Sequence, residues 1–187
     1  NWEMQGYDVP IYVNHPYEFA DRRTPITEFK DGPEPPKVPL NYNPVGSYRR
    51  DFQVPANWEG REIFIYLGSV KSAFYIWING EKVGYSEGSK LPAEFNITPY
   101  VTPGKTNTVA LEVYRWSTAS YLECQDFWRM SGIERSVEIY SRPKLHIRDF
   151  EVVSTLDETY RHGILKLWIT LHNYGHSPQT GMTEATL

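Results

Sequence analysis

The segment SAFYIWINGEKVGY, residues 72–85, does most to limit what this chain can fold into. Asn79-Gly80 favours the positive backbone dihedrals of a type I′ turn, the connection that closes a two-residue β-hairpin. In the strand before the turn, Phe74, Ile76 and Ile78 share one face, while Ala73, Tyr75 and Trp77 make the opposite face apolar as well. Side chains alternate along a strand, so this pattern predicts a central strand covered on both sides. The same rhythm of short apolar segments between turn signals recurs from Ser47 onward in SYRRDFQV, REIFIYLGSV, TVALEVYRW and ERSVEIY. It predicts an all-β protein. In TVALEVYRW the inward set is Val109, Leu111 and Val113, with Glu112 facing out; Val137 and Ile139 share a face in the last segment.

The two ends differ from this middle. The first forty-odd residues read as an extended arm or surface loop, ending in DGPEPPKVPLNYNP, whose five prolines oppose helix interiors and central strands. After Arg142-Pro143, two alternating segments flank a polar turn around Asp157 to His162, and Leu165, Leu167, Ile169 and Leu171 point one way. This predicts a first domain over residues 1–143 and the start of an immunoglobulin-like domain over 144–187. That second part supplies 44 residues, against the roughly 100 of a complete immunoglobulin-like sandwich, so the chain is expected to stop before the domain does.

Charge and composition narrow the function classes. With a formal charge of −4 and no Lys/Arg cluster, the chain lacks the field of a nucleic-acid binder. Its one cysteine, Cys124, excludes an internal disulfide and a cysteine-rich zinc site. No apolar run approaches the ~20 residues of a membrane span, and NWEMQGYDVP has neither a basic start nor an apolar core. The expectation is a soluble chain, cytoplasmic or periplasmic, with no membrane or nucleic-acid partner. No GxSxG elbow and no Gly-rich phosphate loop occurs. His172 and His176 are four apart, but they fall at a strand end and in a Gly-Pro turn, where zinc's three or four ligands do not converge.

The chemistry concentrates in SYLECQDFWRMSGIERSVEIY, residues 120–140. Glu123 and Asp126 can be read as a pair of glycosidase carboxylates, which stand about 5–10 Å apart across a sugar. Equally, Asp126 can bind local backbone donors or pair with Arg129. Tyr121, Phe127 and Trp128 offer either an apolar platform for a sugar face or plugs for a core.

Together NWEMQGYDVPIY, NPVGSYRRDF, SAFYIWINGEKVGYSEGSKLPAEFNIT and RWSTASYLECQDFWRMSGIERSVEIY resemble the N-terminal sugar-binding domain of the large multidomain β-galactosidases of glycoside hydrolase family 2. The resemblance implies a jelly-roll β-sandwich followed by an immunoglobulin-like sandwich. It further implies that both catalytic glutamates belong to a (β/α)₈ barrel outside this chain, so that no catalytic residue is expected here. Asp126 matches the family's aspartate that helps bind the galactosyl group and ligates sodium. Asn14 of YVNHPY matches an asparagine whose loop reaches the galactose pocket, although His15 replaces the family's small or apolar residue. No cofactor is implied for the chain itself; sodium and magnesium are implied for the whole enzyme. The implied partners are a β-galactoside, the remaining domains of the enzyme and further copies in a homo-oligomer. The role implied is a non-catalytic contribution to galactoside binding and subunit architecture in a retaining hydrolase of terminal β-galactosides. An independent lectin-like module and a purely structural sandwich are the competing readings. Glucuronidases and mannosidases also share the pattern at Gly132-Ile133-Glu134-Arg135, whereas QDFWRMSG favours a galactosidase.

Overall fold

The computed structural model describes residues 5–7, 19, 26–29, 32–123 and 128–186. Among these, the strands are β1 (Val45–Gln53), β2 (Glu62–Leu67), β3 (Val70–Lys71), β4 (Ala73–Ile78), β5 (Glu81–Glu87), β6 (Ala93–Asn96), β7 (Thr106–Tyr114), β8 (Gly132–Ile133), β9 (Val137–Arg142), β10 (Leu145–Leu156) and β11 (Gly163–Asn173). The protein is all-β, as the alternation of its apolar residues predicts. Its contacts divide it into two units, one of residues 1–59 with 63–140 and one of residues 60–62 with 141–187.

The first unit is a β-sandwich. One sheet runs β1-β7-β4-β5, the other β6-β2-β9, and β3 pairs with β8. The inner faces of the two large sheets share one core: Phe74, Ile76 and Ile78 of β4 and Val109, Leu111 and Val113 of β7 pack with Ile63, Ile65 and Leu67 of β2. Burying each such side chain contributes about 1.5–3 kcal/mol. Residues of β4 and β7 that are read from the sequence as inward-facing therefore do face the core.

The Asn79-Gly80 turn adopts positive φ at both residues, 53° and 88°. The Asn79 side chain then ties it down: Nδ2 donates to the Tyr100 carbonyl at 2.8 Å, and Oδ1 accepts the Thr108 amide at 2.8 Å. Buried Asn107 extends the knot by accepting from Asn79 Nδ2 and from the Thr102 amide.

One expectation needs correcting. β4 is interior to its sheet, between β7 and β5, but only one of its faces is packed into the core. Tyr75 and Trp77 on the other face remain half-buried. They cover each other instead, with Tyr75 centred 4.9 Å from Tyr85 and 6.0 Å from Trp77, and the Lys82 ammonium 3.8 Å above the Tyr75 ring. Aromatic rings with a polar tip or a cation above them tolerate such a half-wet position, which an aliphatic stripe would not.

The second unit is a two-stranded antiparallel ribbon of β10 and β11. Its turn is organised by Asp157, whose carboxylate accepts the Arg161 and His162 amides and the Thr159 hydroxyl. The Arg161 amide bond leads in holding that carboxyl below its ordinary value. Register places Val152 opposite Leu167 and Phe150 opposite Ile169, on the face that also carries Leu165 and Leu171.

Gly84 of β5 shows how closely the sandwich layers approach. A Cβ there would lie 2.6 Å from the ring of Phe95 on β6. Gly84→Ala is expected to destabilise the first unit by about 1–3 kcal/mol through overpacking, read as a lower midpoint in urea. Gly84→Ala combined with Phe95→Leu should recover part of that loss, because the obstructing ring is gone.

Candidate functional site

The site grows out of the chain just after β7. There the Arg115 amide donates to the Pro44 carbonyl at 3.0 Å. The Asn43 side chain clasps the next residue on both sides: Nδ2 donates to the Trp116 carbonyl and Oδ1 accepts the Trp116 amide, each at 3.0 Å. The Trp116 ring is buried among Phe19, at 6.1 Å, and Tyr42, at 6.0 Å. Ser117 and Ser120 then form a reciprocal capping box that starts the 3₁₀ turn Thr118–Tyr121.

Beside this clasp lies an open cleft of about 860 Å³, lined by Gln5, Tyr7, Asn41, Tyr42, Asn43 and Tyr48 among others. Its volume lies in the range of small-molecule sites. Among the described residues its walls carry amides, hydroxyls and aromatic rings but no ionisable acid or base other than tyrosine. After its two bonds to Trp116, the Asn43 amide keeps one hydrogen and one lone pair. Tyr48 of the cleft is also closely packed, since a Cβ on Gly132 would sit 2.6 Å from its hydroxyl, and Gly132 has φ +98°.

The charged residues are employed elsewhere. At the end of β5, the Glu87 carboxylate accepts the Thr118 hydroxyl and the Ala119 amide, both at 2.7 Å, and the Tyr85 hydroxyl at 2.9 Å. Burial pushes this carboxyl up, but the bonds from Thr118, Ala119, Ser117 and Tyr85 outweigh it and hold Glu87 below its ordinary value of 4.5. Burial and the Glu87 charge raise Tyr85 well above its own ordinary value. Two residues on, the Ser89 amide donates to the Glu123 carboxylate. Arg129, itself buried, donates from Nη1 to the Glu123 carbonyl at 2.9 Å. Lys90 pairs with Glu134, which also accepts the Ser69 hydroxyl at 3.0 Å.

The profile described as "Glycosyl hydrolases family 2, sugar binding domain" matches residues 1–143. The chain belongs to this family. It is 50% identical over 174 residues to a β-galactosidase of Priestia megaterium and 44% identical over 172 residues to one of Halalkalibacterium halodurans. These alignments cover 93% and 90% of the chain but 16% of each relative, so the chain spans about a sixth of their length. Among solved structures, a Ruminococcus gnavus β-glucuronidase superposes with a TM-score of 0.63 at 24% identity, over 70% of this chain and 25% of that one. A likeness at that identity concerns the fold. A β-glucuronidase from an uncultured Clostridium matches at 26% identity with a TM-score of 0.59, over 68% of this chain and 24% of that one.

Within this glycoside hydrolase family 2 domain, the expected ligands Asn14 and Asp126 lie outside the described residues, as does Phe127. Glu123 is described, and its Oε1 accepts the Ser89 backbone amide. The aromatic residues divide: Tyr121 plugs the cluster around Phe19, 5.2 Å away, whereas Trp128 is 55% exposed. His172 stacks on Tyr174 at 4.2 Å, in the second unit. Asn43 and Tyr48 of the cleft, and the Glu87 and Ser89 contacts, were not legible as site residues. The one local signal was Asn43-Pro44 immediately before β1, a turn dipeptide.

Two outcomes follow from this geometry. Gly132→Ala should destabilise the unit by about 1–3 kcal/mol, from strain at positive φ and the Tyr48 contact, seen as a lower melting temperature. Glu87→Gln should cost stability at neutral pH, and the deficit should shrink on acidification. Because the folded carboxyl is depressed, its contribution is full above the unfolded value of 4.5 and is lost as pH falls through the lower folded value. A deficit unchanged from pH 7 to pH 3 would contradict this.

Proposed function

We propose that this chain is the N-terminal sugar-binding portion of a β-galactosidase and supplies one wall of a galactoside site whose catalytic groups lie in another domain. The observation that carries the reading is 50% identity to a β-galactosidase across 93% of the chain. The cleft supports it: walls of amide, hydroxyl and aromatic groups suit the hydroxyls and C–H faces of a neutral sugar. The β-glucuronidase likeness of the solved structures suggests a second reading. A uronate, however, would call for a cationic partner, and the described walls of the cleft contain none.

In this reading Asp126 offers the galactosyl group a carboxylate acceptor and helps ligate sodium, a hard cation suited to oxygen ligands. Asn14 contributes an amide that both donates and accepts. The chain contains no catalytic residue, and it partners the remaining domains of a sodium- and magnesium-dependent homo-oligomer. Residues 1–143 are its sugar-binding jelly-roll domain, and residues 144–187 belong to an immunoglobulin-like domain.

Kinetics and sodium titration of the whole enzyme test the reading. Asp126→Ala should weaken galactoside and sodium binding about tenfold or more, as loss of a bond to a charged group does, and Asn14→Ala should weaken galactoside binding by a smaller factor. The chain alone should not hydrolyse a chromogenic β-galactoside. Preference for a β-glucuronide over the galactoside, or kinetics and sodium dependence indifferent to Asp126, would retire the proposal, and millimolar galactoside binding by the chain alone would favour the lectin-like reading.

A further inference from the structure

We propose that the outer face of the sheet β1-β7-β4-β5 carries a second saccharide site, a hollow beside Trp77 that seats one pyranose ring of a neutral polysaccharide. This site goes beyond the galactoside reading above and does not rest on it.

Register builds the hollow. Across the sheet, Arg49 of β1 stands opposite Ala110 of β7, Ala110 opposite Trp77 of β4, and Trp77 opposite Lys82 of β5. In the next row Ser47, Glu112, Tyr75 and Tyr85 align in the same way. Successive side chains of a strand take opposite faces, and Val109, Leu111 and Val113 of β7 fill the core, so both rows belong to the outer face. Ala110 is the small member of its row. A hollow of about 310 Å³ lies there, lined by Ala110, Trp77, Arg49, Glu112 and Ser47 among others. Of its residues only Ser47 and Tyr48 also border the cleft described above.

The polar groups around the hollow have capacity to spare. Among the described residues, the Ser47 hydroxyl, the Arg49 guanidinium and the Trp77 indole N–H have no hydrogen-bond partner, and Arg49 and Glu112 close no ion pair. Glu112 Oε1 accepts the Tyr114 hydroxyl at 3.0 Å, which leaves Oε2 to accept from a ligand. An aromatic wall suits the C–H face of a pyranose, and donors and acceptors beside it suit the hydroxyls. Charge narrows the ligand further. An anion entering the hollow meets the Glu112 carboxylate and a cation meets the Arg49 guanidinium, whereas two neighbouring hydroxyls of a neutral sugar use both, one donating to Glu112 and one accepting from Arg49. Size sets the number of rings. The hollow lies at the small end of the range for ligand sites, and the Lys82 ammonium, 3.8 Å above the Tyr75 ring, occupies the next aromatic surface. One ring in so open a seat binds weakly. A polymer offers the same ring many times over, so its affinity per molecule rises with its length.

The experiment uses the full chain. Three soluble neutral polymers, a β-1,4-galactan, a mixed-linkage β-glucan and a branched α-glucan, are compared with polygalacturonate and chitosan oligomers by gel retardation, and the Trp77 indole N–H is followed by NMR. At least one neutral polymer is expected to retard the chain and shift the Trp77 signal; the two charged ones are not, and methyl β-galactoside should bind more weakly than millimolar. Arg49→Ala should weaken retardation about tenfold, as loss of a bond to a charged group does. Ala110→Leu, which fills the hollow, should abolish it, and Trp77→Ala should do nearly as much. If Trp77→Ala does not fold, the other two decide, since neither position is in the core. Retardation by none of the neutral polymers, preference for a charged one, or retardation that survives both Ala110→Leu and Arg49→Ala would overturn the site. So would retardation lost in Asp126→Ala and kept in Ala110→Leu, which would put the sugar at the galactoside wall instead. Whole-enzyme kinetics indifferent to Asp126 would retire the galactoside reading and leave this site to be judged on retardation alone.

Discussion

The cleft end of the first unit depends on how Trp116 is held. Its ring fills the cluster formed with Phe19 and Phe29, packed on by Tyr42 and Tyr121, while its backbone amide and carbonyl are both taken by the Asn43 side chain. A buried backbone group without a partner costs about 1–3 kcal/mol, so the Asn43 amide does what a sheet ladder would have done one residue earlier. The consequence reaches three elements at once. Asn43 leads into β1 and lines the cleft, Trp116 leaves β7 and starts the capped turn, and Phe19 packs into the same cluster. An amide-for-backbone exchange thus sets the cleft wall and the loop next to it in one geometry.

The two units differ in what secures them. The first has a core to which both large sheets contribute, and single side chains such as Ile65, Leu67, Ile76 and Val113 lie wholly inside it. The second, by contrast, is a ribbon of two long strands, with Phe150, Val152, Leu165, Leu167 and Leu171 exposed along one face. Two strands alone are marginally stable in water, and an apolar stripe of that length has the pattern of a sheet face that belongs against another layer. The Asp157 turn, with its carboxylate satisfied by three local donors, fixes the register of the ribbon without any help from a core.

What the sequence disclosed follows from the range of the forces involved. Alternation and turn chemistry are local, so the all-β class, the hairpin at Asn79-Gly80 and the inward set of β7 could be read directly. The half-wet face of β4 could not, because apolar composition does not distinguish an aromatic ladder covered by its own neighbours from a face covered by another sheet. The site was less legible still. Asn43 meets Trp116 across 73 residues, and Glu123 meets Ser89 across 34; no spacing rule reaches that far. Glu123 drew attention as a carboxylate near Asp126, and only the fold reveals that a backbone amide from another loop engages it.

That last point bears on how a carboxylate-rich loop should be read. Glu87, Glu123 and Glu134 all lie near one end of the sandwich, and a count of acids there would suggest an electronegative, catalytic or cation-binding patch. Their contacts say otherwise. Glu87 is spent on a hydroxyl and an amide of the 3₁₀ turn, Glu123 on the Ser89 amide, and Glu134 on Lys90 and Ser69. For Glu87 the bonds from the 3₁₀ turn hold the carboxyl below its ordinary value, so it serves there as a fixed strut. Among the described residues, the cleft is lined instead by uncharged groups, chiefly amides, hydroxyls and phenols, so the carboxylates serve the scaffold while neutral groups face the open space.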